Sequence, residues 1–419
     1  MKTLVLFTSH FPYGTGETFL EPEIPALCRS FDHVCICTEL HPRETSARLL
    51  PENCSVVRYR TVSRFSDALL QIPLFLRYFK GCREALRDER RLIPSYGQRL
   101  TRAHLHRMLH DLMKGLQMAR AIRKRFTPED TLFYTYWLKA PAMGLALLHS
   151  ADSRWKAVSR MHGHDVYAEV HDPAYIPFQL FKARHLCGIY GISQQGTDYL
   201  AARLPEAAGK LHTAYLGTPD PLPITYQDNG SGRPLHIVTC SNLPFTDVKR
   251  IPLLIEALHH VRMPLHWTHL GNGPQIAYCL TRAESLHKTN PQITFTFEGQ
   301  LSNKGVHQFY ATHPVDAVLN VSSSEGLPVA LMEAASYGIP LLATDVGGTR
   351  EVCTDRTGRL LPAGITPEQL ASSITEFLTV TAPAMDRAGI REAWAATFRA
   401  ASNFPEWAAM LEQMLRNDN

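Results

Sequence analysis

Two successive arrays of short apolar runs, each alternating with helix-length segments and separated by an aperiodic tract, constrain this chain more than any other feature. In the first array strand-type runs fall at Thr3–Thr8, His33–Thr38, Ser55–Tyr59, Thr131–Tyr136, Ala157–Met161 and Gly188–Ser193. The second has them at His236–Cys240, His266–Leu270, Thr294–Glu298, Ala317–Val321 and Leu341–Asp345, with helical segments such as Ile251–Val261 between them. Such alternation builds parallel sheets whose faces are covered by crossover helices. The intervening tract, LGTPDPLPITYQDNGSGRP (Leu216–Pro234), is rich in Pro, Gly, Asn and Asp and reads as a linker. A chain of 419 residues also exceeds what one hydrophobic core normally holds. The expectation is an α/β protein of two doubly wound, Rossmann-like domains facing a cleft. These cover residues 1–215 and 235–400, joined by a linker over 216–234 and followed by a C-terminal helix over 401–419.

The densest chemistry lies in VSSSEGLPVALMEAASYGIPLLATDVGGTRE, Val321–Glu351. An apolar strand precedes it, Pro328 suits the first turn of a helix, and Gly338 with Pro340 marks that helix's end. Ser322–Leu327 is then a loop at a strand's carboxyl end, where open α/β sheets bind ligands. The following helix turns its unpaired N–H groups and positive dipole end toward the same place, which suits an anion. Glu325 stands before the helix, able to hydrogen-bond a neutral polyol, and Glu333, eight positions on, reaches a second set of hydroxyls. Upstream, TCSNLPFTDVKRIPLLIEAL sets Lys249 and Arg250 at a helix start, where cations oppose the dipole and an anionic ligand would explain them. HLGNGPQ and FEGQLSN are strand-end turns, the second carrying Gly299 and Gln300.

Two further clusters follow strands of the first array. In SHFPYGTGETFLEPE, Gly14 and Gly16 permit close backbone approach to a ligand, although GTGE falls short of the G-x-G-x-x-G pattern of nicotinamide-binding folds. In RMHGHDVYAE, His162, His164 and Asp165 gather at a strand end; no third ligand with suitable spacing lies nearby, so zinc is not expected. Ser193 reads as a helix cap.

EGLPVALMEA with VGG after it resembles the E-x7-E signature of the retaining glycosyltransferases of family 4, which have the GT-B fold, and the HG-x-D element and glycine loop are similar to that family's. The resemblance implies that Glu325 contacts the donor sugar, that Glu333 binds the nucleotide ribose, and that the Gly326 and Leu327 amides hold phosphate and sugar. Lys249 matches the family's Lys, and with Glu325 and His162 it forms the implied catalytic set. Gly14 and Gly16 would lie by the donor phosphates, and Gly299 and Gln300 under the base. Glu17, His164 and Asp165 are candidate acceptor or sugar contacts. The family's Gly-Arg is absent, Ser241-Asn242 standing in its place, so Arg250 is the candidate replacement. Asp345 and Gly347–Thr349 would close the site, and the resemblance to GT-B proteins implies that the helix over 401–419 crosses back to the first domain.

The function so implied is transfer of a hexose from a UDP-, GDP- or ADP-sugar to a hydroxyl acceptor with retained configuration. Surface polysaccharide or glycolipid assembly is the expected setting, with a lipid-linked glycan as the expected acceptor. No DxD motif occurs, and neither metal nor cofactor is expected. Two other readings stay open: a nucleotide-sugar epimerase or hydrolase of the same fold, and a non-catalytic carbohydrate- or nucleotide-binding subunit, which the missing Arg favours. A Rossmann oxidoreductase ranks behind both.

Composition narrows partners and compartment. A net charge of +4 does not indicate a nucleic-acid binder. The charge is uneven, however: Arg58–Arg125 holds seventeen Lys/Arg against five Asp/Glu, leaving the rest of the chain near −8. Within it Leu105–Phe126 reads as an amphipathic helix with a basic face, so the block 58–125 is a candidate surface for an anionic membrane. The nine cysteines are scattered without CxxC spacing, as reduced thiols of a cytoplasmic protein would be. TLVLF near the start is too short for a signal peptide, and no segment approaches a membrane span. The expected location is the cytoplasm, peripheral to the inner face of the membrane.

Overall fold

The computed structural model describes residues 1–14, 16–39, 47–60, 72–226 and 232–416. The chain divides into two units: Met1–Leu216 with Ser402–Asn419, and Gly217–Ala401. The first unit is built on β1 (Thr3–Thr8), β2 (His33–Glu39), β3 (Cys54–Tyr59), β4 (Thr131–Thr135), β5 (Ala157–Met161), β6 (Gly188–Gly191) and β7 (Leu211–Thr213), in the order β3-β2-β1-β4-β5-β6-β7. The second is built on β8 (Leu235–Cys240), β9 (Leu265–Leu270), β10 (Ile293–Gly299), β11 (Ala317–Asn320), β12 (Leu341–Thr344) and β13 (Gly358–Leu361), in the order β10-β9-β8-β11-β12-β13. Neighbouring strands run parallel; Leu4, for example, is in register with Val34 on one side and Leu132 on the other. Central strands such as LVLF of β1 are buried on both faces, which is why they read as continuous apolar runs rather than as alternating ones. With its sheets doubly wound in this way, the protein has the GT-B fold.

In each sheet the strand order reverses once, between β1 and β4 and between β8 and β11. Loops leaving the carboxyl ends of strands at such a point diverge and open a crevice.

Every strand expected from sequence forms, with ends shifted by at most two residues. β7 and β13 were not expected; they are short edge strands, LHT and GRLL, whose pattern carries little signal. The amphipathic helix runs over Arg102–Arg125 and packs along the helix Ala140–Ala151. At their contact the backbones approach so closely that a Cβ on Gly144 would lie 2.8 Å from the Ala119 nitrogen.

Of the tract read as a linker, Gly217–Tyr226 lies against the second unit: the Leu222 amide donates to the Tyr337 hydroxyl (2.9 Å) and the Thr225 amide to the Ala311 carbonyl (2.9 Å). Residues 227–231 lie outside the described residues, as do 61–71 of the basic block and 417–419. The last helix, Ala400–Arg416, carries Trp407 into the first unit's core, 5.4 Å from the Tyr134 ring and under the Arg160 guanidinium at 4.3 Å. Arg160 is wholly buried; its Nε donates to the Tyr134 hydroxyl (2.8 Å), which donates to Glu23 (2.9 Å). Among the described residues no helix is long and apolar enough to cross a membrane.

Candidate functional site

In the second unit the loops after β8 and β11 are tied together at the switch point. Lys249 ends the turn Asp247–Lys249, separated by Arg250 alone from the helix Ile251–Leu258. Its ammonium donates to Glu325 Oε1 at 2.6 Å, and the Asn320 amide nitrogen donates to the same oxygen at 3.1 Å. The Glu325 side chain is only 10% exposed. Burial pushes its pKa up, but the Lys249 charge, with hydrogen bonds from Lys249, Ser322 and Asn320, outweighs burial and holds it below the usual carboxylate range. Glu325 is therefore ionised, and an ion pair stands at the mouth of the sheet.

The segment after Glu325 supplies donors. Pro328 caps the helix Val329–Ser336, and the Gly326 and Leu327 amides make no hydrogen bond among the described residues. The next loop, after β12, braces this segment. The Gly348 amide donates to the Gly326 carbonyl (3.1 Å), and a Cβ at Gly347, whose φ is 52°, would fall 1.7 Å from the Glu325 carbonyl oxygen. Only glycine meets both conditions.

Glu333 lies in that helix and is 6% exposed. Among the described residues no charge or hydrogen bond offsets its burial, which pushes its pKa up to about 8. Near neutral pH it is largely a carboxylic acid, able to donate as well as accept.

Arg250 is placed differently from expectation. Its Nε, Nη1 and Nη2 donate to the carbonyls of Val321 (2.5 Å), Ala363 (2.6 Å) and Ser322 (3.0 Å). The guanidinium, read from sequence as a diphosphate ligand, is thus a strut holding the β11 loop in place. Gly299, with φ 71°, accepts from the Gly271 amide (2.8 Å), while the Gln300 side chain is exposed and donates to the Leu301 carbonyl (3.3 Å). Asp345 pairs with Arg350 (2.6 Å).

In the first unit three carboxyl-edge loops are likewise laced. Glu17 accepts from the Ser9 (2.9 Å), His10 (2.7 Å) and Phe11 (2.7 Å) amides and from the Trp137 indole (2.5 Å). Four donors occupy a carboxylate's four lone-pair sites, so this side chain, read as a sugar or acceptor contact, is here the anchor of the β1 loop. Asp165, read as a candidate acceptor or sugar contact, ties the β5 loop to the β4 loop, accepting from the His162 amide (2.6 Å) and the Leu138 amide (2.6 Å). Arg48, which sequence reasoning missed, donates to the Gly14 and Gly16 carbonyls, each at 2.8 Å.

His162 is 7% exposed within an aromatic wall, its ring 4.3 Å from Trp137, 4.8 Å from Tyr136 and 5.8 Å from Phe19. Burial, then the Arg160 and Lys139 charges, push its pKa down to about 3, against a hydrogen bond from the ring to the Tyr136 carbonyl. Nε2 is buried and has no hydrogen-bond partner among the described residues. The ring is thus neutral, and with its other nitrogen bonded to the carbonyl, Nε2 offers a lone pair to a hydroxyl. His164 is exposed and packs edge-on against His171 at 4.5 Å.

A cavity of about 180 Å³ adjoins this wall at the carboxyl ends of β1–β3. Trp137 and Tyr59 supply its aromatic surface, and Glu39, Asp111, Lys114 and Lys139 its charge. Of these residues the sequence reading singled out none. Trp137 and Lys139, in TYWLK just past β4, and Asn320, the polar residue in DAVLNV, were nonetheless visible as polar or aromatic residues at strand ends. No group of three or more His, Cys, Asp or Glu among the described residues is arranged to hold a metal ion.

Residues 234–379 match the family described as glycosyl transferases group 1. The O-antigen biosynthesis glycosyltransferase WbnH of Escherichia coli is 34% identical over 108 residues, which are 26% of this chain and 28% of that protein. The chain's match thus spans little more than a quarter of that relative's length. Among solved structures, Anabaena Alr3699/HepE in complex with UDP and glucose superposes with a TM-score of 0.63 at 17% identity, covering 100% of both chains. Sucrose-phosphate synthase from Thermosynechococcus elongatus gives 0.65 at 16% identity, covering 99% of this chain and 100% of that one.

Proposed function

We propose that the protein is a retaining glycosyltransferase that moves a hexose from a nucleoside-diphosphate sugar to a hydroxyl acceptor in surface polysaccharide or glycolipid assembly. The Lys249–Glu325 pair carries this reading: cation, carboxylate and two unpaired amides stand together at a sheet's switch point, inside the segment that matches glycosyl transferases group 1.

The chemical problem is a departing diphosphate. Lys249 and the Gly326 and Leu327 amides meet the charge that develops on it; one such donor is typically worth about 10²–10³ in turnover. Glu325 accepts from sugar hydroxyls on the same face. Glu333, protonated near neutral pH, exchanges hydrogen bonds with the ribose. In the first unit, His162 Nε2 offers its lone pair to a substrate hydroxyl. The acceptor's hydroxyl attacks from the face the diphosphate leaves, assisted by that phosphate, so configuration is kept and no side chain is alkylated. Acceptor binding falls to the cavity beside Trp137, where an aromatic face and charges of both signs suit a glycan. No resident metal or cofactor enters the scheme. A lipid-linked glycan as acceptor would set the enzyme at the inner face of a membrane, on its cytoplasmic side.

Calorimetric titration with UDP, GDP and ADP tests the donor site, and a donor panel with and without acceptor tests transfer. Release of free nucleotide without any acceptor would favour an epimerase or hydrolase. The three carbonyl bonds of Arg250, with Ser241-Asn242 at the position of the family's Gly-Arg, favour one further reading, a binding subunit; nucleotide binding without turnover of any donor would select it.

A further inference from the structure

The charges around the cavity beside Trp137 are unequally matched. Asp111 and Lys114 line it from the helix Arg102–Arg125, Glu39 from the end of β2, and Lys139 from the loop after β4. The Asp111 charge is already in use. The Lys182 side chain is only 1% exposed, and its ammonium donates to the carbonyl of Leu138 (2.8 Å), the residue between Trp137 and Lys139. Burial pushes the Lys182 pKa down, and the Asp111 charge is the strongest influence opposing that shift. The His110 ring stands 3.6 Å from the same carboxylate. Glu39 is likewise engaged.

The two lysines are not engaged in this way. Neither ammonium makes a hydrogen bond or ion pair among the described residues; Lys139 lies over the Trp137 ring at 4.5 Å, and Lys114 is half-buried. The segment bearing Lys139 is fixed before any ligand arrives, the Trp137 indole by Glu17 and the Leu138 amide by Asp165. A neutral sugar would use the rings of Trp137 and Tyr59 but leave both ammoniums without a counter-charge. A sugar bearing a negative group uses the rings and the charges together. At about 180 Å³ the space falls below roughly 300 Å³, the lower end for drug-sized ligands, so it suits one ring rather than a chain.

We propose that this cavity selects an acidic acceptor sugar, one whose ring carries a carboxylate or a phosphate, with Lys114 and Lys139 as the residues that determine the preference. A lysine is a compact charge on a flexible stem and takes either anion. That the sugar is the acceptor rests on the transferase reading; that it is acidic rests on the cavity alone.

Ligand-observed NMR titration of the full chain without nucleotide tests the preference, with methyl glucuronide, glucose 6-phosphate, methyl glucoside and methyl glucosaminide at one ionic strength. At least one acidic probe should bind about tenfold tighter than methyl glucoside, and the better of the two names the anion. Lys114→Met and Lys139→Met should each remove most of that preference and leave the affinity for methyl glucoside unchanged. Both lysines reach solvent, and an unchanged melting temperature verifies the fold; if Lys139→Met melts early, Lys114→Met reads the same cavity. Equal binding of acidic and neutral probes, tighter binding of the glucosaminide, or an unaltered preference in both variants would overturn the proposal. So would displacement of the acidic probe by equimolar inorganic phosphate, which would show that charge alone is bound. Transfer assays separate this inference from the wider reading. Transfer that favours neutral acceptors sinks the acidic class and keeps the enzyme, whereas selective binding with no transfer from any donor upholds the anion preference and fails the enzyme.

Discussion

Lys249 Nζ stands 2.6 Å from Glu325 Oε1, bridging the loops after β8 and β11 where the strand order reverses. A half-buried pair of this kind is weak evidence for stability, because desolvation offsets much of the attraction. Its value is positional: each charge fixes the other before a ligand arrives. Glu325→Gln should leave nucleotide affinity nearly unchanged while cutting turnover about 10²-fold; a fully active variant refutes the role. Lys249→Met should weaken nucleotide binding and, by leaving a buried carboxylate uncompensated, lower stability by about 1–3 kcal/mol. Titration calorimetry and thermal unfolding separate the two effects.

Glu333 gives a pH signature. Its pKa in the folded chain is about 8, against an ordinary value of 4.5. Between these values the unfolded chain has released a proton that the folded chain keeps. Stability should therefore fall as pH rises from 4.5 to 8, by up to about 1.4 kcal/mol per pH unit, and be free of this penalty below 4.5. Glu333→Gln should remove that slope, read as melting temperature against pH. Identical profiles for both proteins would show that the carboxyl is not held neutral.

His162 works in the opposite sense. Its pKa lies near 3 in the folded chain and at 6.5 ordinarily, so the unfolded chain gains a proton first as pH falls. Its contribution to stability should be complete above pH 6.5 and decline toward pH 3, and His162→Asn should flatten that decline. Nitrogen NMR should find a neutral ring at pH 5. A charged ring there, or a fully active His162→Asn, would remove it from the proposed site.

Glu17 should matter to the fold before it matters to catalysis. Glu17→Ala strips four donors of their acceptor, and the loss should be about 2–4 kcal/mol, seen as a lower unfolding midpoint in urea. A variant as stable as the parent, yet unable to use acceptor, would instead make Glu17 a substrate contact.

The sheets were legible because buried parallel strands advertise themselves as apolar runs, and the site loops because Gly, His and Glu cluster where those runs stop. Side-chain direction was not legible. Arg250 and Lys249 are adjacent in sequence, yet the left-handed φ of 49° at Arg250 aims one at carbonyls while the other meets Glu325. Glu17, at φ 52°, turns back onto its own loop. Contacts made across many residues, such as Trp137 with Glu17 or Arg48 with Gly14, depend on loops meeting in space and leave no local pattern.

The first unit is assembled from two separate stretches of chain, whereas the second is one uninterrupted insertion whose ends are stitched to each other, Thr218 to Phe398 at 2.9 Å and Ala400 to Thr218 at 3.0 Å. Excision therefore has unequal results. A gene fragment for 217–401 should yield an autonomous module, while one ending at 216 lacks Trp407 and leaves Arg160 beside an empty slot. Restoring the missing piece as a separate peptide should rescue it, a split-protein design the connectivity already supplies.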